Sequence, residues 1–127
     1  MEDVRIVIVN EKNIENPLGE YSGNLTSHLI KHPDLISKEA KFTQAELGIS
    51  DRKRAQATYA SLRVDLVFED ESNIYLVEVK DDPSEVEEGK KQILEYKRIF
   101  LGYLRDFQKG FSLTKQVVPI VATTSEE

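Results

Sequence analysis

The sequence predicts a mixed α/β domain, and three observations carry that prediction. Two β-branched and aromatic runs, residues 63–68 and 74–80, are separated by the polar segment 69–73, which is typical of a β-hairpin. Apolar residues at three- and four-residue intervals follow the hairpin and predict a long amphipathic helix. Further β-branched runs at 4–9 and 117–121 predict strands near both ends of the chain.

Before the hairpin, the pattern predicts a strand, a helix and a second strand. Residues 4–9 form the first strand, and residues 10–17 are a polar connection. An amphipathic helix then ends before Pro33, with an apolar stripe of Leu18, Tyr21, Leu25, His28 and Leu29. Residues 41–47 alternate enough for a modest strand, and residues 51–61 are a long exposed loop or a short helix.

After the hairpin, a long helix and a last strand complete the domain. Ser84 is the expected N-cap and forms a capping box with Glu87. The helix continues to a glycine cap at Gly110, along a stripe of Val86, Ile93, Tyr96, Phe100, Leu104 and Phe107. The last strand covers residues 117–121, and Pro119 within it predicts an edge position or a bulge.

The hairpin carries an Asp, a Glu and a Lys where apolar residues are expected. A four-residue loop at 70–73 sets Asp65 opposite Glu78, with Cβ atoms roughly 4.5–5.5 Å apart. Lys80 projects to the same face because strand side chains alternate. Two neighbouring carboxylates repel each other, so the arrangement calls for a cation, and Mg²⁺ suits it because it takes oxygen ligands.

Apart from these three residues, both faces of the hairpin are apolar. One face comprises Val64, Leu66, Phe68, Tyr75, Val77 and Val79, and the other comprises Val67, Ile74 and Leu76. Such strands belong in the middle of a sheet that is covered on both sides. The polar residues therefore lie at one end of a central hairpin.

Length and composition narrow the class of protein. With 127 residues, the chain is expected to form one domain over 1–127. It has no cysteine and two histidines, which excludes thiolate sites and leaves too few ligands for a zinc cage. The net charge of −6 argues against a protein that simply coats nucleic acid. Neither a signal peptide nor a membrane-length apolar run is present, so we expect a cytoplasmic protein with no membrane partner.

These residues resemble the PD-(D/E)xK nuclease superfamily, which has the restriction-endonuclease-like fold. Asp65 and the run Glu78-Val79-Lys80 match the superfamily's Asp and (D/E)-x-K on consecutive hairpin strands. Gln92 and Tyr96 match the Gln-x-x-x-Tyr helix motif of its RecB-like branch. The resemblance extends from residue 63 to about residue 103, and it departs from the pattern in that Val64, not Pro, precedes Asp65.

The resemblance implies a central mixed β-sheet flanked by helices on both faces, and a metal-dependent endonuclease site. Asp65, Glu78 and the Val79 carbonyl would hold one or two Mg²⁺ or Mn²⁺ ions, and Lys80 would orient or deprotonate the attacking water. A further acidic residue is expected from the first core helix or strand. Glu20 and Glu46 are both candidates, with Glu20 slightly favoured because it lies on the expected helix.

The expected substrate is DNA, although RNA is compatible with the same chemistry. The best basic group for phosphate contact is a run of three, Arg52, Lys53 and Arg54, together with Arg63. A homodimer is compatible with this interpretation.

Two other interpretations compete with the nuclease. The first is a catalytically silent module of the same fold that binds nucleic acid or a protein partner. The second is an accidental match, in which Glu78 and Lys80 form a solvated strand end, because Glu-x-Lys occurs four times in the chain.

Overall fold

The computed structural model of the chain describes residues 3–14, 24–49, 62–107 and 114–126. These residues form five strands and two helices, joined in part by short 3₁₀ turns. In chain order they are β1 (Arg5–Asn10), α1 (Asn24–Lys31), β2 (Lys41–Ile49), β3 (Leu62–Glu69), β4 (Asn73–Val79), α2 (Val86–Phe107) and β5 (Gln116–Ser125). No helix in these ranges is long and apolar enough to cross a membrane.

The strands form one mixed sheet in the order β1-β5-β4-β3-β2. β1, β5 and β4 run parallel, whereas β4, β3 and β2 are antiparallel. The predicted mixed α/β class is confirmed, and the hairpin lies inside the sheet as expected. The carboxyl ends of the three parallel strands meet at one edge, beside the start of β3.

The hairpin register agrees with the prediction at its turn end. Glu69 pairs with Ile74, and the ladder continues to Leu66 opposite Val77. β4 begins at Asn73, one residue earlier than expected, and the Asp70 N–H donates to the Asn73 carbonyl at 3.0 Å. The next residues beyond the last pair are Asp65 and Glu78.

Each face of the sheet has its own apolar cluster and its own helix. α1 covers one face with Leu25 and Leu29, which pack against Leu66, Phe68, Tyr75 and Val77. α2 covers the other face with Ile93, Ile99 and Phe100, which pack against Val64, Val67, Ile74 and Leu76. These clusters exclude water from both faces of the hairpin and provide the main apolar burial of the fold.

The predicted grouping of Val64 with Leu66 on one face of the hairpin was wrong. Val64 packs with Val67 in the cluster on the α2 side. Leu47, its partner on β2, belongs to the same cluster, whereas Ala45 lies with the other. Between those two residues, Glu46 has a φ of 52°, in the left-handed region. The change of face therefore coincides with an irregular backbone opposite Asp65.

Two local predictions about the last third of the chain were also wrong. Ser84 is not the cap: the Asp82 side chain accepts a hydrogen bond from the Ser84 N–H at 2.9 Å, Pro83–Glu85 form a 3₁₀ turn, and α2 begins at Val86. An Asp followed by Pro suits this position because Pro has no N–H to satisfy. β5 is an interior strand and not an edge. Pro119 is tolerated there because pairing with β1 begins only at Ile120.

Candidate metal centre at the open end of the hairpin

The structure brings the Asp65 and Glu78 carboxyl groups together at the open end of the β3–β4 hairpin. They follow directly on the last paired residues of the ladder, and they are close enough to share a hydrogen bond. The Val79 N–H donates to Asp65 Oδ2 at 2.9 Å, which fixes the Asp65 carboxylate against the end of β4. The predicted juxtaposition of the two acids is present in the structure.

The Glu78 side chain is buried, with 8 % of the residue exposed. Burial raises the pKa of Glu78 from 4.5 to about 8, with the neighbouring Asp65 carboxylate as the second cause. The charge of Lys80 lowers the pKa of Glu78, but by less than burial and Asp65 raise it. Glu78 Oε2 is buried without a hydrogen-bond partner among the described residues. In the absence of a cation, this carboxyl group therefore favours its protonated form near neutral pH.

Lys80 lies just past the end of β4, and its stem contacts α2. The Lys80 N–H donates to the Ala122 carbonyl at 2.9 Å, so β5 still holds the chain at this point. A β-carbon on Gly89 would lie 3.1 Å from Lys80 Cγ and 3.3 Å from Val121 Cγ1. The glycine lets the first turn of α2 approach the lysine without this tight contact.

Gln92 and Tyr96 are on the part of α2 that faces these carboxyl groups. The Gln92 side-chain amide donates to Glu88 Oε1 at 3.4 Å, whereas its Oε1 is buried without a partner in the described ranges. Burial raises the pKa of Tyr96, and the charges of Glu78 and Asp65 raise it further. Tyr96 and Glu88 therefore lie near Glu78, and Gln92 lies between them on the same side of the helix.

The structure describes one of the two candidates for the additional acid. Glu46 lies on β2 at the level of Asp65, between the pairs Ala45–Leu66 and Leu47–Val64, and its side chain is exposed. Glu20 lies outside the described residues. Within the described part of the chain, no three His, Cys, Asp or Glu residues are grouped closely enough to hold a metal. Among the described residues, a centre here would draw on the carboxylates of Asp65 and Glu78, with carbonyl oxygen and water as further ligands of the kind that Mg²⁺ commonly takes.

The predicted phosphate-binding residues are mostly untested by the structure. Arg63, near the start of β3, is exposed on the same strand as Asp65. Arg52, Lys53 and Arg54 lie outside the described residues, as do the predicted loop 51–61 and the glycine cap at Gly110.

A large depression lies at the other end of the hairpin, far from the two acids. It has a volume of about 700 Å³ and is lined by residues of the turn and of β2, with Lys115 beside them. Glu69 on its wall accepts hydrogen bonds from Lys115 at 3.2 Å and from Thr43 at 2.9 Å. The chemistry predicted from the sequence therefore does not coincide with this depression.

Sequence reasoning missed two residues beside Lys80, namely Gly89 and Thr123. A glycine in the first turn of a predicted helix was an available signal, because glycine there lowers helix stability unless close packing requires it. Thr123 on β5 is 3 % exposed, and its hydroxyl has no partner among the described residues. It gave no signal in the sequence because threonine is common in strands.

No family model matches the sequence, and comparisons with curated proteins and with solved structures give no significant match.

Proposed function

We propose that the protein is a metal-dependent DNA endonuclease of the PD-(D/E)xK kind, which hydrolyses phosphodiester bonds at the open end of the hairpin. The observation that carries the proposal is the pairing of half-buried Asp65 with buried Glu78, one of whose oxygens has no partner among the described residues, next to Lys80. An uncompensated buried acid is expensive to maintain, so it calls for a ligand that the described residues do not supply.

The order of elements supports a restriction-endonuclease-like core for this proposal. From α1 to β5, the chain runs helix, three strands, helix, strand, which is the core order of that superfamily. The Asp is on the second of these strands and the Glu-x-Lys is at the end of the third, followed by the helix that carries Gln92.

The residues present fit a hard divalent cation. Asp65 and Glu78 offer carboxylate oxygens, and the Val79 carbonyl is at the same strand end. A Mg²⁺ or Mn²⁺ ion, when bound, would lower the pKa of a water molecule and neutralise charge on the phosphate oxygens. A cation would also replace the proton that the environment of Glu78 otherwise favours.

The side chains themselves would bind and orient. Lys80, a flexible stem with a compact charge, would place its ammonium against the scissile phosphate or the attacking water. Gln92 has a buried acceptor oxygen with no partner among the described residues, which suits a water molecule or the substrate. Asp65 is held by the Val79 N–H, so its free oxygen keeps a fixed direction.

The runner-up is a catalytically silent module of the same fold that binds nucleic acid or a protein partner. The observation that favours it is the acidic segment directly after Lys80. The exposed acids there are Asp81, Asp82, Glu85, Glu87 and Glu88. Such a rim repels phosphates and suits a basic protein surface.

The proposal is tested by cleavage assays on the wild type, on Lys80→Ala and on the matched surface variant Lys90→Ala. We expect Mg²⁺- or Mn²⁺-dependent cleavage that EDTA abolishes, and a loss of roughly 10²–10⁴-fold in Lys80→Ala. Lys90 on α2 is half-buried and pairs with the exposed Glu87 at 3.1 Å, so its removal should leave cleavage unchanged. Substrates should include duplex, single-stranded and branched DNA, and RNA, at salt below about 0.1 M because the domain is acidic.

Two results contradict the proposal in different ways. Full activity in Lys80→Ala would exclude the assigned role of the lysine. Absence of cleavage by the wild type on every substrate would favour the silent module.

A further inference from the structure

Thr123 on β5 lies beside Lys80 on the α2 face of the sheet. The parallel register of β4 and β5 reaches Val79 opposite Ala122, and the hydrogen bond from the Lys80 N–H to the Ala122 carbonyl extends it by one step. Val79 and Ala122 both pack on the α1 side. Because strand side chains alternate, Lys80 and Thr123 both project to the α2 side, as neighbours across the two strands.

Two hydrogen bonds hold the backbone around Lys80 against β5. Besides the bond from the Lys80 N–H, the Asp81 carbonyl accepts a hydrogen bond from Thr124 Oγ1 at 2.9 Å. On the helix side, Gly89 leaves just enough space for the Lys80 stem. These contacts restrain the backbone and the γ-carbon of Lys80. They do not fix the direction in which its ammonium points.

The Thr123 hydroxyl is a buried polar group in need of a partner. The residue is 3 % exposed, and Oγ1 makes no hydrogen bond within the described residues. A valine of nearly the same shape would avoid the cost of burying a hydroxyl. An ammonium group has three donors and no acceptor, and it is therefore complementary to this oxygen.

We propose that Thr123 is a positioning residue, whose hydroxyl accepts a hydrogen bond from Lys80 Nζ and sets the direction in which the ammonium points. Its effect on cleavage rests on the proposed nuclease function. The contact between Thr123 and Lys80 does not depend on that function, so the two can be tested apart.

The contact is tested by a double-mutant cycle on the metal-free protein, with unfolding in urea as the measurement. Thr123→Val should raise the unfolding equilibrium constant about tenfold when Lys80 is present, because a hydrogen bond to a charged group is lost. In the Lys80→Met background, the same change should lower the constant, because the hydroxyl there has no donor. Lys90→Met serves as the matched lysine control, and it should show no coupling with Thr123.

Thr123→Ser keeps the hydroxyl and removes only a methyl group, so it should retain the coupling with Lys80. The inference is overturned if Thr123→Val lowers the unfolding constant equally in both lysine backgrounds. It is also overturned if Thr123→Ser behaves as Thr123→Val does.

The catalytic consequence is measured on the same variants. Thr123→Val should lower kcat at least tenfold with KM unchanged, and Thr123→Ser should restore it, whereas a purely structural threonine would not give this split. Coupling without cleavage by the wild type would overturn the nuclease proposal and support the contact. Cleavage with no coupling would overturn this inference and leave the nuclease proposal intact.

Discussion

The two ends of the β3–β4 hairpin carry similar acidic residues in opposite states. At the turn, the Asp70 carboxylate accepts hydrogen bonds from the N–H groups of Ser72 at 2.9 Å and Asn73 at 2.8 Å, and from the Tyr75 hydroxyl. The bond from Tyr75 holds the pKa of Asp70 below its usual value. At the open end, burial and a neighbouring acid raise the pKa of Glu78, and one of its oxygens has no partner among the described residues.

This contrast between the two ends indicates which of them has a polar group that a ligand could satisfy. The 700 Å³ depression is at the turn, where Glu69 and Asp70 already have their partners. A ligand there would replace contacts that exist. At the open end, a ligand would satisfy an oxygen that the described residues leave unpaired, which is the reason why our proposal concerns that end of the hairpin.

The largest expected effect is on the pH dependence of stability, through Glu78→Gln. The folded pKa of Glu78 is about 8 against 4.5 in the reference state. The folded state therefore holds a proton that the unfolded state releases, and stability falls as pH rises from about 4.5 to about 8. Glu78→Gln should remove this loss and stabilise the metal-free protein at pH 8–9 by roughly 3–4 kcal/mol, with little effect at pH 4.5. Urea unfolding in EDTA across this range measures it.

Glu69→Gln is the matched control at the turn end. It removes the same charge, so it accounts for the general relief of the chain's negative charge, but it breaks the pairing with Lys115 and should give no gain. Parallel stability–pH curves for the wild type and Glu78→Gln would show that Glu78 ionises normally, and the contrast between the two ends would disappear.

The next effect in size is on metal affinity, through Asp65→Asn. Loss of one of the two carboxylates that the described residues offer should weaken Mn²⁺ binding on the order of 10–100-fold. Titration calorimetry measures this, and Mn²⁺ should also raise the melting temperature of the wild type because it binds the folded state.

Asp70→Asn is the corresponding change at the turn. It should destabilise the protein by about 1–2 kcal/mol, because a neutral amide replaces the carboxylate that accepts several hydrogen bonds. Its Mn²⁺ affinity should equal that of the wild type. If the two Asp variants bound Mn²⁺ equally well, any metal would be bound away from Asp65.

The hairpin could be predicted from the sequence because its signals are local and agree. β-branched and aromatic runs mark the two strands, and a short polar segment between them fixes the register, so the opposition of Asp65 and Glu78 follows by counting. The Gln92–Tyr96 pair on α2 follows similarly, because residues four apart share a helix face.

Other features depend on contacts that one segment does not reveal. A proline such as Pro119 argues against an interior strand only where that strand is paired on both sides along its whole length. Pairing of β5 with β1 begins after Pro119, so the condition is not met. The strand changes face between Leu66 and Val64, at the level of the left-handed backbone of Glu46 on β2. The positions of Gly89 and Thr123 beside Lys80 depend on how α2 and β5 pack on β4, which no local pattern specifies.

The smallest expected effect separates two glycines with different surroundings, Gly89 and Gly48. Gly89→Ala favours the helix by up to about 1 kcal/mol, but its β-carbon would lie 3.1 Å from Lys80 Cγ and 3.3 Å from Val121. We expect these terms to nearly cancel in the free energy of unfolding, whereas displacement of Lys80 lowers kcat several-fold. Gly48→Ala meets no atom within 4 Å and should raise stability by roughly 0.5 kcal/mol with kcat unchanged. Urea unfolding and cleavage kinetics distinguish the two variants. If Gly89→Ala gained stability as Gly48→Ala does and kept its kcat, then the close approach of α2 would have no role in placing Lys80.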